Sequence, residues 1–282
     1  MTVAAALRLG AARLAAAGVP DPAWDAERLL RHVLGWDRAA LLAARPDTPL
    51  SSDSAATFQR LLDERARRRP LQHLLGVQEF WGRQFRVTPD VLIPRPETEL
   101  IVETALTLLR GVEAPCVADV GTGSGCIALT LAAERPDAVV HAMDVSAAAL
   151  AVAEDNARGL GLAGRVSFLH GDLLAPVAGL RFDLVASNPP YVDAAELASL
   201  EPEVRDHEPR AALVPGPDPY AAYRRLVPQA ANVLRAGGFL LLEIGHGMQA
   251  AITGLCEQAG LRVLRVVPDL HSIPRTVVAT SQ

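Results

Sequence analysis

Cysteine, aromatic residues and long apolar runs are all scarce in this sequence. There are three cysteines in 282 residues, and aromatics make up 4%. Cys116, Cys126 and Cys256 lie far apart, which implies neither a disulfide framework nor a metal-binding pair. Cys116 and Cys126 fall in expected strand and helix interiors and read as buried thiols of a reducing, cytoplasmic compartment. His73, His141, His170, His207, His246 and His271 show no metal-ligand spacing, so no metal site is expected. No Ser-His-Asp or Cys-His pattern for covalent catalysis stands out. No apolar run approaches the roughly 20 residues that a membrane helix needs. Residues 1–18 are Ala-rich but interrupted by Arg8 and Arg13, which gives an amphipathic helix, not the apolar segment of a signal peptide. A basic excess is lacking too. The formal charge of −5 argues against a protein that grips nucleic acid mainly through its phosphates, and leaves room only for a local basic patch.

Half of the residues are hydrophobic, enough for a large domain with or without a small one beside it. Residues 1–75 read as an all-helical recognition or support domain. Thr2 is a candidate cap for a first helix that stops at Gly18-Val19-Pro20. Asp21-Pro22 opens a second, with Leu29, Leu30, Val33 and Leu34 as its apolar stripe. Asp37 is placed to cap a short helix carrying Leu41 and Leu42. Ser51 or Ser52 starts another that turns Phe58, Leu61 and Leu62 inward. The run Arg65-Ala66-Arg67-Arg68-Arg69 reads as a solvated helix end, with an RNA-rich partner as the alternative. Residues 76–90 contain Val77, Phe80, Trp81, Gly82, Phe85 and Val87, the pattern of a β-hairpin linker. In Leu92-Ile93-Pro94-Arg95-Pro96-Glu97-Thr98-Glu99, an Arg held stiffly between two prolines suits either a site-lining loop or a rigid connector.

Residues 91–282 alternate strand and helix. Strands are expected at 117–120, 138–143, 166–169, 182–186, 239–244, 261–267 and 276–279. Helices are expected at 126–134, 146–158, 220–234 and 248–260, with Arg235-Ala236-Gly237-Gly238 as a helix stop. The run 239–244 is apolar almost throughout, as when both faces of a sheet are covered. Repeated βα units of this kind imply an α/β fold with a doubly wound, Rossmann-like, mostly parallel seven-stranded sheet. Ligands of such sheets sit beyond the carboxyl ends of the strands.

Two of those strand ends carry unusual residues. Asp119-Val120-Gly121-Thr122-Gly123-Ser124-Gly125 ends the first strand in a glycine loop, which lets a ligand approach closely and offers the next helix's N–H groups to an anion. Cys126 stands where a dinucleotide fingerprint needs glycine, and the Gly-Lys-Ser/Thr of a phosphate loop is absent. The remaining candidate is the methionine carboxylate of S-adenosylmethionine. Asp144, ending the second strand, suits the ribose hydroxyls. Asp172 and Leu173, ending the third, suit the adenine amino group and ring. Ser187-Asn188-Pro189-Pro190-Tyr191 ends the strand 182–186 in a rigid corner. Its Asn side chain and backbone carbonyls can accept the two N–H bonds of a planar –NH2 group, with Tyr191 as a flat cover. A strand-ending turn without a ligand is the plain alternative.

Taken together, the glycine loop, Asp144 and Asn-Pro-Pro-Tyr resemble a class I S-adenosylmethionine-dependent methyltransferase acting on a planar nitrogen. The segments at 69–76, 79–82, 92–99, 204–209 and 237–243 narrow this to a resemblance to the protein-(glutamine-N5) methyltransferases of peptide chain release factors. The segment Ile93-Pro94-Arg95-Pro96-Glu97-Thr98-Glu99 is the most specific part of the match. The similarity runs from about residue 65 to the end, and the helical front part fits that family's amino-terminal domain. Two positions depart from the family pattern: Pro219 follows Asp218 where glycine is usual, and Ser272 stands where glycine is common. Both affect loop geometry outside the core motifs.

The resemblance implies that the methyl acceptor is the glutamine amide of a Gly-Gly-Gln motif in class 1 release factors. It makes Asn188, Pro189, Pro190 and Tyr191 the substrate-binding and catalytic residues. The Asn188 oxygen and the Pro189 carbonyl would accept the amide N–H bonds, with Pro190 and Tyr191 on either side of the amide plane. Asp119, Gly121, Thr122, Gly123, Ser124, Gly125, Asp144, Asp172, Leu173 and Asn188 would line the cofactor site. A monomer without a nucleic-acid substrate or membrane contact is expected. An adenine-N6 methyltransferase shares the nitrogen pocket but calls for a basic face or a target-recognition domain. A nicotinamide dehydrogenase lacks its catalytic pair here.

Overall fold

The computed structural model describes all 282 residues and divides into two compact units. The first begins with five helices: α1 (Val3–Ala16), α2 (Pro22–Leu34), α3 (Arg38–Ala43), α4 (Ser52–Ala66) and α5 (Leu71–Leu75). The caps stand where the sequence places them. The Thr2 hydroxyl accepts from the Ala5 N–H at 3.3 Å, Asp37 from Ala40 at 2.7 Å and Ser51 from Ser54 at 3.1 Å. Asp21 precedes Pro22 at the first helical position but makes no side-chain cap bond. Leu14, Ala26, Leu29, Leu30, Phe58 and Leu62 form the centre of this unit, with Val33 and Leu34 against it. At Gly10 a Cβ would stand 2.9 Å from the Ala26 Cβ, so a glycine there lets α1 and α2 approach. Leu42 does not join its neighbour Leu41 inside: it is 75% exposed, because six-residue α3 has room for one inward leucine.

The second unit opens on the hairpin β1 (Val77–Phe80) and β2 (Arg83–Arg86). Its turn is Trp81-Gly82, both at positive φ (53° and 67°), as a two-residue turn of this hand requires. Trp81 is therefore a turn residue, not part of the strand pattern. Phe80 and Phe85 meet edge to face at 6.0 Å and lie in the core beside Ile101, Val102 and Ala105 of α6 (Glu99–Leu108). The alternation that follows is β3 (Cys116–Val120), α7 (Cys126–Glu134), β4 (Val139–Asp144), α8 (Ala147–Gly159), β5 (Val166–His170) and β6 (Phe182–Ser187). After the short helices α9 (Pro202–His207) and α10 (Arg210–Leu213) come α11 (Ala221–Val233), β7 (Leu234–Glu243), α12 (Gln249–Gln258), β8 (Arg262–Pro268) and β9 (Pro274–Thr280).

Seven strands form one sheet in the order β5-β4-β3-β6-β7-β9-β8, all parallel except for β9, which runs antiparallel to both of its neighbours. Both faces are covered. Leu184, Ala186 and Leu241 point into one apolar cluster, and Val185, Leu240 and Leu242 into the other. The chain moves outward from β3 to β4 and β5, then crosses back to β6 on the other side of β3. The carboxyl ends of β3 and β6 therefore flank the point where strand order reverses, the ordinary ligand position in a doubly wound sheet. Arg235-Ala236-Gly237-Gly238 is not a helix stop. Strand β7 starts at Leu234 and absorbs these residues in a register shift against β6. A Cβ at Gly238 would lie 2.9 Å from the Arg235 carbonyl oxygen, so the irregularity needs glycine.

Residues Leu200–His207, which include α9, cluster with the five N-terminal helices, not with the sheet. The arginine run supplies the reason. Arg65 is buried, with Nε 2.7 Å from Asp25 and Nη1 2.8 Å from Glu203. Arg68, at φ +66°, grips both oxygens of Glu203 at 2.7 and 2.6 Å. The reading of a solvated helix end thus holds for Arg67 and fails for Arg65 and Arg68, because carboxylates remote in sequence meet them. Arg65→Ala leaves Asp25 without its buried cation, while Glu203 keeps Arg68, and should cost about 3–5 kcal/mol. Urea unfolding followed by circular dichroism measures it, with Arg67→Ala as a control expected within about 0.5 kcal/mol of the parent chain.

Candidate active site

Asp119 is the penultimate residue of β3 and fully buried. One of its carboxylate oxygens accepts the Thr122 hydroxyl at 2.6 Å and the Ala128 N–H of α7 at 3.1 Å. A single carboxylate thus ties the strand end, the glycine loop and the head of the next helix together. It does so from beneath: Asp119 is not in the cavity wall, where the sequence grouped it with the cofactor residues. Burial, with Asp144 nearby adding to the effect, pushes its carboxyl up to about 7.

Above it lies a cavity of about 520 Å³, within the usual range for small-molecule sites. Gly121, Thr122, Gly123 and Ser124 line it, whereas Gly125 does not. Gly123, at φ +56°, would direct a Cβ into open space, so the loop is bare where a ligand can approach. Gly125, at φ +82°, serves packing: a Cβ there would stand 2.9 Å from Leu129 and 3.1 Å from Ala153. The loop's own amides are largely engaged. Gly121 and Thr122 donate to the Met143 carbonyl at 2.8 and 2.9 Å, and Gly123 donates to Asp144 at 2.9 Å. The other oxygen of Asp144 accepts from Ser146 at 2.9 Å. Asp144 is thereby held rigidly in the cavity wall, with a lone pair left on each oxygen for a hydroxylated ligand. Asp172 and Leu173 also line the cavity, but Asp172 is exposed and ion-paired with Arg225 of α11, a wall residue the sequence did not reveal.

Ser187, Asn188, Pro189 and Pro190 close the cavity from the end of β6. The orientation of the Asn188 carboxamide follows from its neighbours. Thr98 donates its one hydroxyl proton to the buried Glu243 carboxylate at 2.6 Å. Its oxygen can then only accept, and it does so from Asn188 Nδ2 at 3.1 Å. The carboxamide oxygen of Asn188 is left to the cavity. Tyr191, expected as a cover over the crevice, is not in its wall. Its ring packs on Gly245, where a Cβ would lie 2.9 Å from the ring edge, and its hydroxyl is 3.5 Å from Glu243. The rigid Pro94-Arg95 segment does line the cavity. Buried Glu208 clamps it, accepting from the Ile93 N–H at 3.1 Å and from Arg95 at 2.6 Å.

Thr98, Glu208 and Glu243 thus adjoin or hold the site although no individual role was expected of them. Thr98 and Glu208 fall within the family-like segments 92–99 and 204–209, and Glu243 stands out as a lone acid at the end of a strand expected to be buried on both faces. No group of three or more His, Cys, Asp or Glu side chains is arranged to hold a metal ion, and no helix is long and apolar enough to cross a membrane.

The pH dependence of stability provides a check on Asp119. Its folded-state pKa lies above the usual carboxylate value, so the folded protein binds the proton more tightly than the unfolded chain does. Its contribution is therefore full at low pH and is lost as pH rises toward 7. Asp119→Asn should shrink the fall in unfolding free energy between pH 5 and pH 7 by about 2 kcal/mol, at about 1.4 kcal/mol per pH unit. Urea titrations at the two pH values measure it. An unchanged difference would mean that the carboxyl is ionised throughout.

Comparison with known proteins identifies the family and the fold. A family model described as the PrmC N-terminal domain matches residues 5–76, and one described as a methyltransferase small domain matches residues 98–201. The chain is 50% identical over 279 residues to the release factor glutamine methyltransferase of Cereibacter sphaeroides, covering 99% of this chain and 98% of that one. It is 48% identical to the protein of the same name from Moorella thermoacetica, with the same coverage. Among solved structures, a Pyrococcus furiosus methyltransferase superposes with a TM-score of 0.54 at 16% identity, over 77% of this chain and 98% of that one. The Thermus thermophilus 16S rRNA N2 G1207 methyltransferase, solved with AdoMet and guanosine, also gives 0.54, at 22% identity, over 73% and 50% of the two chains. These two likenesses show the methyltransferase fold, whereas identity of about one half over nearly the full length of both sequences shows more: the chain belongs to the release factor glutamine methyltransferase family.

Proposed function

We propose that this protein transfers a methyl group from S-adenosylmethionine to the side-chain amide nitrogen of the Gly-Gly-Gln glutamine in class 1 peptide chain release factors. It acts in the cytoplasm, as a monomer, and methylates no nucleic acid. The observation that carries the reading is the Asn188 carboxamide oxygen, left to the same cavity that the glycine loop lines.

The residues present fit the cofactor. The bare backbone at Gly121 and Gly123 leaves volume that any side chain there would fill. Four amides of the loop are already engaged, so the methionine carboxylate would rely on the remaining amides at the head of α7 and their partial positive charge. Asp144, fixed by two amides, would take the ribose hydroxyls. Asp172 and Leu173 would meet the adenine. When bound, the cofactor supplies an electrophilic methyl group on a positively charged sulfur.

The protein's own residues must make an amide nitrogen, whose lone pair is delocalised into its carbonyl, act as a nucleophile. The Asn188 oxygen and the Pro189 carbonyl each accept one N–H, which fixes the direction of the lone pair and favours positive charge as it builds on nitrogen. Two consecutive prolines keep the Pro189 carbonyl from drifting, since neither proline can rotate about φ. Pro190, in the cavity wall, would lie along the amide plane, and Tyr191 supports the corner from its packing on Gly245. No general base is needed, because the methylated amide sheds its extra proton to water.

Incubation with labelled S-adenosylmethionine and purified release factor, total tRNA or DNA tests the substrate, with the label located by mass spectrometry. Label on the glutamine of Gly-Gly-Gln is expected. Label in nucleic acid alone would replace this reading with the adenine-N6 one. In the same assay Asn188→Ala should lower kcat by on the order of 10²-fold or more, with far less effect on cofactor affinity. A variant with near-parental kcat would remove Asn188 from the mechanism.

A further inference from the structure

Asn188 faces the cavity through an amide whose two ends differ only in hydrogen-bonding character. Reversing it would replace the acceptor needed for a substrate N–H by a donor. Nothing in the Asn-Pro-Pro-Tyr corner itself prevents that reversal. The constraint comes from elsewhere: Thr98, at the end of the proline-bounded segment, and Glu243, at the end of β7, 145 residues apart and joined at 2.6 Å. We propose that Thr98 and Glu243 act as positioning residues that keep the Asn188 carboxamide oxygen turned toward the substrate amide. The proposal rests on the amide-methylation reading above and adds to it the device that selects the Asn188 rotamer.

The logic is that of one proton per hydrogen bond. While Glu243 is ionised it can only accept, so Thr98 must donate to it and accept from Asn188 Nδ2. Once Glu243 is protonated, it can donate to Thr98 instead. The Thr98 hydroxyl is then free to donate to Asn188, and that bond forms only if the carboxamide turns its oxygen inward and its NH2 toward the cavity. A donor facing the substrate's own NH2 blocks the reaction. The state of a carboxyl two hydrogen bonds away thus decides which face Asn188 presents.

The surroundings of Glu243 make this state responsive near neutral pH. The side chain is buried, and burial pushes its carboxyl up to about 7, with Glu97 adding to the effect. The Thr98 hydrogen bond, Arg275 of β9 and Arg95 oppose it. Tyr191 places its hydroxyl 3.5 Å from the carboxylate, and the Tyr223 hydroxyl of α11 donates to the Glu243 backbone carbonyl at 2.7 Å. Burial holds both phenols well above their usual range, and it raises the Cys126 thiol to about 12. Among these groups Glu243 alone combines a pKa near neutrality with a hydrogen-bonded path to Asn188.

The test uses the full-length enzyme with S-adenosylmethionine and release factor, following kcat and KM from pH 5.5 to 9 for the parent, Thr98→Val, Thr98→Ser and Glu243→Gln. Cofactor binding is measured in parallel by calorimetry. The parent should show an acid limb in kcat centred near pH 7. Thr98→Val should lower the kcat plateau on the order of 10-fold, the effect of one positioning hydrogen bond, and abolish the acid limb while cofactor affinity stays within about 2-fold. Thr98→Ser, which restores the hydroxyl, should recover both plateau and limb. Glu243→Gln should lower kcat and remove the limb. Any of three results overturns the proposal: a parental kcat and limb in Thr98→Val, equal impairment of the valine and serine variants, or an acid limb that survives in Glu243→Gln. Loss of cofactor binding in Thr98→Val would make Thr98 structural and overturn it likewise. A parent enzyme that labels no Gly-Gly-Gln glutamine is a different failure, that of the amide-methylation reading itself.

Discussion

One buried carboxylate holds the centre of this molecule in place. Asp119 lies at the end of β3, where the sheet's strand order reverses, and binds both the loop that follows and the first turn of α7. That double contact adds a side-chain tie to a loop that is otherwise held through its backbone amides, by the Met143 carbonyl and Asp144. The loop in turn fixes Asp144, whose carboxylate accepts the Gly123 amide, and through Ser146 the head of α8. Strand end, loop, two helices and a wall carboxylate therefore form one mechanical unit. Its cost is a desolvated acid near neutrality, an expense found at functional sites more often than in passive cores.

A second buried acid repeats the arrangement on the other side of the crevice. In the sheet, β6 lies between β3 and β7, so the strand carrying Asn188 is flanked by Asp119 and Glu243 at the ends of its two neighbours. The two acids act differently. Asp119 organises backbone, and Glu243 reaches the Asn188 side chain through the Thr98 hydroxyl. Arginine has the complementary role elsewhere. All 27 basic residues are arginines, and the planar five-donor guanidinium suits sites such as Arg65, where one cation meets two carboxylates.

The sequence disclosed what is local and withheld what is distant. Strands, helices, caps and the glycine loop depend on neighbouring residues, and their positions agree closely with the structure. Asn188, Pro189 and Asp144 were legible because each stands out against an apolar strand. Thr98 was not, because its significance lies in an acid 145 residues away and an amide 90 residues away. Arg225 looked like an ordinary helix residue until α11 brought it to Asp172, 53 residues earlier. Arg65 and Arg68 misled for the same reason. A cluster of cations reads as solvated unless remote carboxylates are known to fold onto it. Tyr191 misled differently: the corner's backbone was predictable, but the direction of a ring depends on whether a glycine such as Gly245 leaves it space.

The return of Leu200–His207 to the helical unit has a consequence for the continuity of the chain. The polypeptide passes from one unit to the other three times, after Val77, after Ser199 and after His207. A contiguous N-terminal fragment cut at residue 77 would be an open circuit. Arg65 would keep only Asp25, and Arg68 would face the place of Glu203 with that carboxylate missing. A complete helical unit in one piece could be made only by grafting residues 200–207 onto the fragment through a new linker. Three chain crossings therefore join the two units where a single interdomain linker would make one.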